Sequence, residues 1–159
     1  MSNSALIIGA GPAGLMAAER LLAQGAQVQI FDAKPSIGRK FLMAGKSGLN
    51  LTKNEPLAIF QNYYYGASAQ LAPMLNDFGP ADVMRWANTL GADVFSGSSG
   101  RVFPKAMKAS PLLRAWLLRL QDAGAELRVK SRWKTLCKDG CFGFETPSGP
   151  AQITPDVAV

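Results

Sequence analysis

A glycine-rich turn between two apolar runs is the feature that most constrains this chain. Residues 5–32 read "ALIIGAGPAGLMAAERLLAQGAQVQIFD". The run "ALIIG" is apolar on both faces, as a central parallel strand requires. From Pro12 to Gln24, apolar residues recur at three- and four-residue spacing, and Gly25 suits the position that follows a helix. A second strand then ends on Asp32. The pattern predicts a β–α–β unit of about 30 residues.

The three glycines of this turn, Gly9, Gly11 and Gly14, have separate roles in such a unit. Gly9 permits the tight turn, Gly11 leaves room for a pyrophosphate, and Gly14 lets the helix pack close to the sheet. The helix that begins near Pro12 directs its free N–H groups toward the phosphates. Asp32 would bind the adenosine ribose hydroxyls and repel a 2′-phosphate. The turn therefore predicts an ADP-containing dinucleotide other than NADP.

The segment after the acid bears on whether that dinucleotide is FAD or NAD. Residues 33–52, "AKPSIGRKFLMAGKSGLNLT", are glycine-rich and basic and show little periodicity. We expect a long irregular loop that returns across the pyrophosphate. Arg39 or Lys40 is the natural phosphate partner, the alternative being that both are solvated surface charges. A small antiparallel meander predicted at 132–154 favours FAD, because simple NAD domains lack that element.

The rest of the chain predicts helices and strands around this unit. Helical patterns cover residues 57–91 and begin again at Ser110, and "AELRVK" predicts a third parallel strand. The three tyrosines at 63–65 are interpreted as packing residues. Cys137 and Cys141 flank a predicted hairpin turn and are expected to be two reduced thiols lying diagonally on paired strands.

Composition excludes several classes of function. The chain has no histidine, so His-based metal sites and Ser-His-Asp triads are excluded. We expect no metal site and name no catalytic residue. The net charge is +6, but the basic residues are scattered and no aromatic residues interleave with them, so we expect no nucleic-acid partner. No apolar stretch is long enough to span a membrane, and the N-terminus does not resemble a signal peptide. We therefore expect a cytoplasmic protein with no membrane partner.

Two segments together resemble a known family. "GAGPAGLMAAERLLAQGAQVQIFDAKPSIGRKFLMAGKSGLNLT" and "SGRVFPKAMKASPLLRAWLLRL" are similar to the BaiN-like bacterial NAD(P)/FAD-dependent oxidoreductases, and the resemblance covers essentially the whole chain. It implies a Rossmann-like α/β domain of glutathione-reductase type, with a parallel sheet, helices and a small antiparallel β-meander. We expect residues 1–159 to form one FAD-binding domain with a mainly helical insertion at about 55–92.

The resemblance also implies a set of residues that hold non-covalently bound FAD. Trp133 would lie near adenine, or would simply pack on the sheet. Many family members carry three glycines followed by Arg-Cys-Asn where this chain has "AGKSGLNLT", so any particular chemistry transfers less securely. The residues implied are Gly9, Gly11, Pro12, Ala13 and Gly14 at the turn, Asp32 and Ala33 at the ribose, Gly38, Arg39 and Lys40 in the second phosphate loop, and Gly45, Gly48, Asn50, Leu51 and Thr52 near the flavin.

Three functions remain open from the sequence. The first is a flavin-dependent oxidoreductase, or its cofactor-binding part, acting on a small-molecule substrate or electron acceptor, with NAD(P)H as a possible donor. The second is an NAD-binding dehydrogenase domain. The third is a non-catalytic module that holds FAD or its ADP half. Because "TPDVAV" begins a strand and stops, and family members are much longer, we expect an N-terminal fragment.

Overall fold

The computed structural model describes residues 3–159, and the chain divides into two units. The first unit consists of two segments, the N-terminal one up to Phe41 and Trp116–Val159. The second unit is Leu42–Ala115. The helices are α1 (Pro12–Ala23), α2 (Arg39–Ala44), α3 (Leu57–Asn62), α4 (Ser68–Asp77), α5 (Pro80–Thr89) and α6 (Ala109–Asp122). The strands are β1 (Ser4–Ile8), β2 (Gln27–Phe31), β3 (Thr52–Lys53), β4 (Val94–Ser96), β5 (Arg101–Pro104), β6 (Glu126–Arg128), β7 (Arg132–Leu136), β8 (Phe142–Thr146), β9 (Gly149–Ile153) and β10 (Val157–Ala158).

A parallel sheet forms the centre of the first unit, with strand order β10-β1-β2-β6. The middle of β1 is buried because its residues are apolar on both faces. Helix α1 joins β1 to β2 and buries Leu15 and Ala18. The predicted β–α–β unit and the Rossmann-like α/β fold are confirmed.

The three-stranded antiparallel meander β7-β8-β9 belongs to the same unit. Phe144 on β8 packs against Leu6 and Phe31 of the parallel sheet, and the Phe31 and Phe144 ring centroids are 4.2 Å apart. This cluster fixes the meander against the sheet through buried aromatic area. The predicted meander is therefore present and packed.

A carboxylate of α1 links this helix to α6, at residues of α6 that belong to the first unit. Glu19 of α1 accepts hydrogen bonds from Trp116 Nε1 at 2.6 Å and from Arg119 Nη1 at 3.1 Å. Trp116 is almost fully buried, so its indole N–H requires a partner there. Two charge-assisted hydrogen bonds to the Glu19 carboxylate thus link the two helices.

The second unit combines helices with a small antiparallel sheet of order β3-β5-β4. Helix α5 begins at Pro80, whose missing N–H suits a first helical turn, and Asp82 accepts a hydrogen bond from Gly79 N at 2.9 Å. The helical insertion predicted at about 55–92 lies within this unit, and its role as a domain insertion stays a prediction. No helix among residues 3–159 is long and apolar enough to cross a membrane.

Two local expectations were wrong. Residues 39–44 form helix α2 where an irregular loop was expected, and because α2 buries none of its residues, it leaves no apolar periodicity to detect. Cys137 and Cys141 are joined in a disulfide instead of being reduced thiols. They also lie directly opposite each other, since Cys137 N donates to Cys141 O at 2.8 Å.

Candidate dinucleotide-binding site

The glycine turn connects the carboxyl end of β1 to the N-terminus of α1, and two of its glycines are required by the chain's own geometry. Gly9 has φ +107°, a conformation that residues with a Cβ rarely adopt. A Cβ on Gly14 would collide with the carbonyl oxygen of Gly9 and touch Ile7. Both are therefore structural requirements of the turn.

Gly11 differs from its two neighbours. Its φ is −81°, which any residue adopts, and a Cβ built on it would meet no heavy atom within 4 Å. Packing within the chain therefore does not require a glycine here. The space beside the Gly11 backbone is open, as a pyrophosphate that approaches the main chain would need.

The first turn of α1 offers backbone donors next to that open space. The first intrahelical bond runs from Leu15 N to Gly11 O at 2.9 Å, so the amides of Ala13 and Gly14 lie ahead of it. Pro12 has no N–H and suits the first position of the helix. Amides at a helix N-terminus carry partial positive charge and favour an anion.

Asp32 follows β2 directly and is fixed against the glycine turn. Its Oδ2 accepts from Ala10 N at 2.8 Å, and its Oδ1 accepts from Lys34 N at 2.7 Å. Each carboxylate oxygen can accept more than one hydrogen bond, so both retain capacity for a ligand's hydroxyl groups. The sequence did not indicate these two backbone bonds, which orient the carboxylate before any ligand binds.

A cleft of about 300 Å³ joins these features at the carboxyl end of the sheet. Gly38 N donates to Ala10 O at 2.9 Å, and this bond brings the segment after Asp32 back onto the glycine turn. Five of the predicted residues line the cleft, together with three that sequence reasoning missed. The predicted ones are Gly11, Asp32, Gly38, Arg39 and Lys40, and the others are Ala10, Lys34 and Ser36.

The charges around the cleft are mixed in a way that suits a dinucleotide. Lys34, Arg39 and Lys40 place three cations along one segment, while Asp32 places an anion beside the turn. Lys34 and Ser36 lie in the sequence between Asp32 and "GRK", both of which were predicted to bind the cofactor. That position could have indicated that they also line the cleft. Ala33 is exposed beside them but is not among the residues that line the cleft.

A larger cavity of about 550 Å³ lies at the opposite end of the sheet. It is lined by residues that include Ser4, Gln27 and Glu126, at or near the starts of β1, β2 and β6. Ligands of open parallel sheets bind outside the carboxyl ends of the strands. The smaller cleft is therefore the better candidate site.

The remaining predicted residues lie elsewhere. Gly45, Gly48, Asn50, Leu51 and Thr52 belong to the second unit, where Leu51 N donates to Val102 O at 2.9 Å and Thr52 is paired with Val102. The missing Cβ of Gly45 faces Ala109, and that of Gly48 faces Met107. Their contact with a flavin stays a prediction.

Trp133 lies on β7 and is 46% exposed. Its Nε1 donates to Thr135 O at 2.8 Å, and its ring centroid is 6.2 Å from that of Phe142. The indole N–H is thus engaged within the meander. The residues that line the cleft do not include Trp133, and its contact with adenine stays a prediction.

Comparison with known families decides the assignment of the fold. The family described as "HI0933-like protein Rossmann domain" matches residues 3–158. The chain belongs to this family. The resemblance to the BaiN-like flavoproteins inferred from the sequence is confirmed.

This HI0933-like chain is also similar to curated proteins and solved structures. It is 30% identical over 134 residues to the 3-dehydro-bile acid delta(4,6)-reductase of Clostridium scindens, covering 82% of the chain and 32% of the relative. It is 32% identical over 90 residues to putrescine oxidase of Kocuria rosea, covering 46% of the chain and 19% of the relative. Both matches span about a third or less of the relative's length.

One solved structure illustrates the likeness of the fold. A flavocytochrome c3 fumarate reductase in its open conformation aligns with a TM-score of 0.65 at 19% identity, over 99% of this chain and 33% of the other. At this identity the likeness shows the fold alone.

Proposed function

We propose that this chain is the FAD-binding part of a flavin-dependent oxidoreductase. The observation that carries the proposal is the cleft at the end of β1 and β2, where Gly11 leaves open backbone space next to a fixed acid. Among residues 3–159, no packing contact requires a glycine at position 11. A ligand that approaches the main chain would account for its small size.

The residues of the cleft fit the ADP half of FAD. The amides of Ala13 and Gly14 would receive the pyrophosphate, and the cations of Arg39 and Lys40 would balance its charge. The Asp32 carboxylate would accept hydrogen bonds from the adenosine ribose. Its two bonds to backbone amides hold it in place, so ligand binding would not have to order it.

Bound FAD would supply the hydride or electron transfer, which is chemistry that the side chains described here do not provide. The chain's own contribution is to bind and orient the cofactor. The names of the relatives, a reductase and an oxidase, support an oxidoreductase. We propose further that NAD(P)H donates the electrons to a small-molecule substrate or acceptor, in the cytoplasm of a bacterium, without a nucleic-acid or membrane partner.

The experiment that tests the proposal is to identify the cofactor. The purified chain is examined by absorption spectroscopy, and any ligand is released by heat and identified by its mass. Flavin absorption bands and the mass of FAD are the expected result. A colourless protein is then titrated with FAD and with NADH. Binding of NADH alone would replace the proposal with an NAD-binding dehydrogenase domain, and binding of neither would contradict a dinucleotide site.

A further inference from the structure

The turn between β7 and β8 gathers three side chains that can ligate a metal ion, and it lies apart from the dinucleotide cleft. Cys137, Asp139 and Cys141 each offer one ligand atom, and these atoms lie within 4.8 Å of one another. Cys141 is buried, Cys137 is partly exposed and Asp139 is exposed. In the structure the two sulfurs are joined in a disulfide.

We propose that the reduced form of this turn binds a thiophilic divalent cation of the zinc type through Cys137, Asp139 and Cys141, and that the disulfide is the form that cannot bind it. This departs from the expectation that the chain holds no metal site. The proposal does not depend on the bound dinucleotide.

The backbone of the turn holds the two cysteines at a distance suited to chelation. Their Cα atoms are 5.0 Å apart. The separation is fixed by main-chain bonds from Cys137 N to Cys141 O at 2.8 Å and from Gly140 N to Cys137 O at 3.1 Å. These bonds do not involve the sulfurs, so we expect them to persist in the dithiol. A tetrahedral zinc with Zn–S bonds of ~2.3 Å needs sulfurs ~3.8 Å apart, which side-chain rotation alone provides.

Asp139 supplies a third, hard ligand on the same side of the turn. Its Oδ1 accepts a hydrogen bond from Cys141 N at 3.4 Å, which turns the carboxylate back toward the cysteines. Gly140 has φ +82°, the left-handed conformation that a tight Asp-Gly turn uses. The three-residue spacing between the cysteines falls within that of known zinc sites, and water would complete the coordination.

Opening the site requires a thiol reductant. A thiolate of the reductant attacks the partly exposed Cys137 sulfur, the S–S bond breaks, and Cys141 leaves as a thiolate. A second thiol of the reductant resolves the mixed disulfide, so that the reductant is oxidised to its own disulfide and both cysteines are free. The two protons of the oxidised reductant pass to the cysteines, which become thiols, and the cation then binds both sulfurs as thiolates and displaces these two protons to solvent.

The test titrates the reduced and oxidised full chain with Co²⁺ and Zn²⁺ after a dithiol reductant has been removed under nitrogen. Reduced wild type should bind one Co²⁺ per chain and show the sulfur-to-cobalt charge-transfer absorption of a thiolate complex. Zn²⁺ should displace the Co²⁺ and abolish that absorption. The oxidised chain should show no such absorption. If the reduced chain with Co²⁺ lacked the charge-transfer absorption, the proposal would be overturned.

Variants separate the three ligands from metal bound elsewhere. Cys137→Ser and Cys141→Ser should each abolish the charge-transfer absorption or reduce Zn²⁺ affinity at least tenfold. Asp139→Asn keeps an acceptor for Cys141 N and a residue suited to the turn, so its expected loss of about tenfold reports the carboxylate. Lys138→Arg, in the same turn, should bind as wild type does. Equal affinity in Asp139→Asn and wild type, or in the cysteine variants and wild type, would overturn the three-ligand site.

Discussion

Glycines in the two units look alike in the sequence but differ in what surrounds them. In the first unit, Gly11 is flanked by empty space. In the second unit, Gly45 faces the side chain of Ala109 and Gly48 faces that of Met107, so the chain itself fills the space a side chain would take. The family resemblance implies a cofactor contact for all three. The structure gives a ligand-independent reason for Gly45 and Gly48 but none for Gly11.

This difference teaches how to weigh a glycine in a candidate site. Where packing or a positive φ requires a glycine, the fold alone accounts for it, and its presence is no evidence of a ligand. Gly9 and Gly14 are of this kind even within the dinucleotide turn. Gly11 is the position whose small size is unexplained until a ligand is considered, so it is the most informative residue to change.

The largest effect is expected for Gly11→Val. The added side chain would occupy the space assigned to the pyrophosphate and reduce FAD affinity at least a hundredfold, about 2.7 kcal/mol. The free energy of unfolding should fall by no more than about 1 kcal/mol, since a Cβ at this position meets no heavy atom within 4 Å and valine is only a poorer residue than glycine at a helix N-cap. Titration of the apoprotein with FAD, followed by flavin fluorescence, measures the first quantity, and urea unfolding measures the second.

Gly66→Val is the matched control for that variant. Gly66 also has no heavy atom within 4 Å of a built Cβ and no positive φ, but it lies in the 3₁₀ turn Tyr65–Ala67 of the second unit. It should bind FAD as wild type does. If Gly11→Val also retained full affinity, the open space at Gly11 would have no connection with a ligand and the comparison would fail.

Asp32→Ala should weaken FAD binding by about 1 to 3 kcal/mol, because charge-assisted hydrogen bonds to the ribose are lost. The same change removes the acceptor of Ala10 N and Lys34 N, so part of the effect would come from a loosened turn. Asp32→Asn removes the charge and one of the two acceptor oxygens, so it can keep only one of the two backbone bonds. We expect its affinity for FAD, measured by the same titration, to lie between those of wild type and Asp32→Ala. Unchanged affinity in both variants would contradict the ribose assignment.

Gly45→Ala should lower the free energy of unfolding by about 1 to 2 kcal/mol, because the new methyl group would be forced against Ala109. Urea unfolding measures this directly. Changing the facing residue as well, in Gly45→Ala/Ala109→Gly, exchanges the two methyl groups and should recover part of the loss. A Gly45→Ala protein of wild-type stability that fails to bind FAD would instead make Gly45 a binding residue like Gly11.

The parts of the fold that sequence predicted are those with a strong periodicity. The sequence changes from an apolar run to helical spacing and back to an alternating run, and this change predicts a strand, a helix and a second strand. All three are present, as β1, α1 and β2. Helix α2 was missed because it is six residues long and buries none of them, so no apolar face distinguishes it from a loop.

The candidate site was predictable in its glycines and its acid but not in its internal bonds. The Asp32 carboxylate accepts hydrogen bonds from Ala10 N, more than twenty residues earlier in the chain, and from Lys34 N, two residues later. Only the folded turn brings these groups together. The disulfide was missed for a related reason. Reduced thiols were expected from the cytoplasmic assignment, whereas the bond depends on hairpin register, which places Cys137 directly opposite Cys141.

The smallest effect concerns the end of the sheet opposite the cleft, where Asp156 holds β10 against β1. Its Oδ2 accepts from the backbone N–H and the hydroxyl of Ser4, both at 2.7 Å. These bonds, the backbone one first, hold the pKa of Asp156 below its ordinary value. Their stabilisation is therefore fully present above the unfolded-state pKa of about 3.9 and is lost as the pH falls through the lower folded-state pKa.

Asp156→Asn should accordingly lower the thermal midpoint slightly at neutral pH, and the difference from wild type should shrink toward zero below about pH 4. Acidic groups common to both proteins, such as Glu126 and Glu145, cancel in this difference. FAD affinity at neutral pH should be unchanged, because Asp156 and Ser4 meet at the start of β1 and the cleft lies at its other end. A loss of affinity comparable with that of Asp32→Asn would show that the two ends of the sheet are coupled, and the open space at Gly11 would then no longer suffice to locate the site.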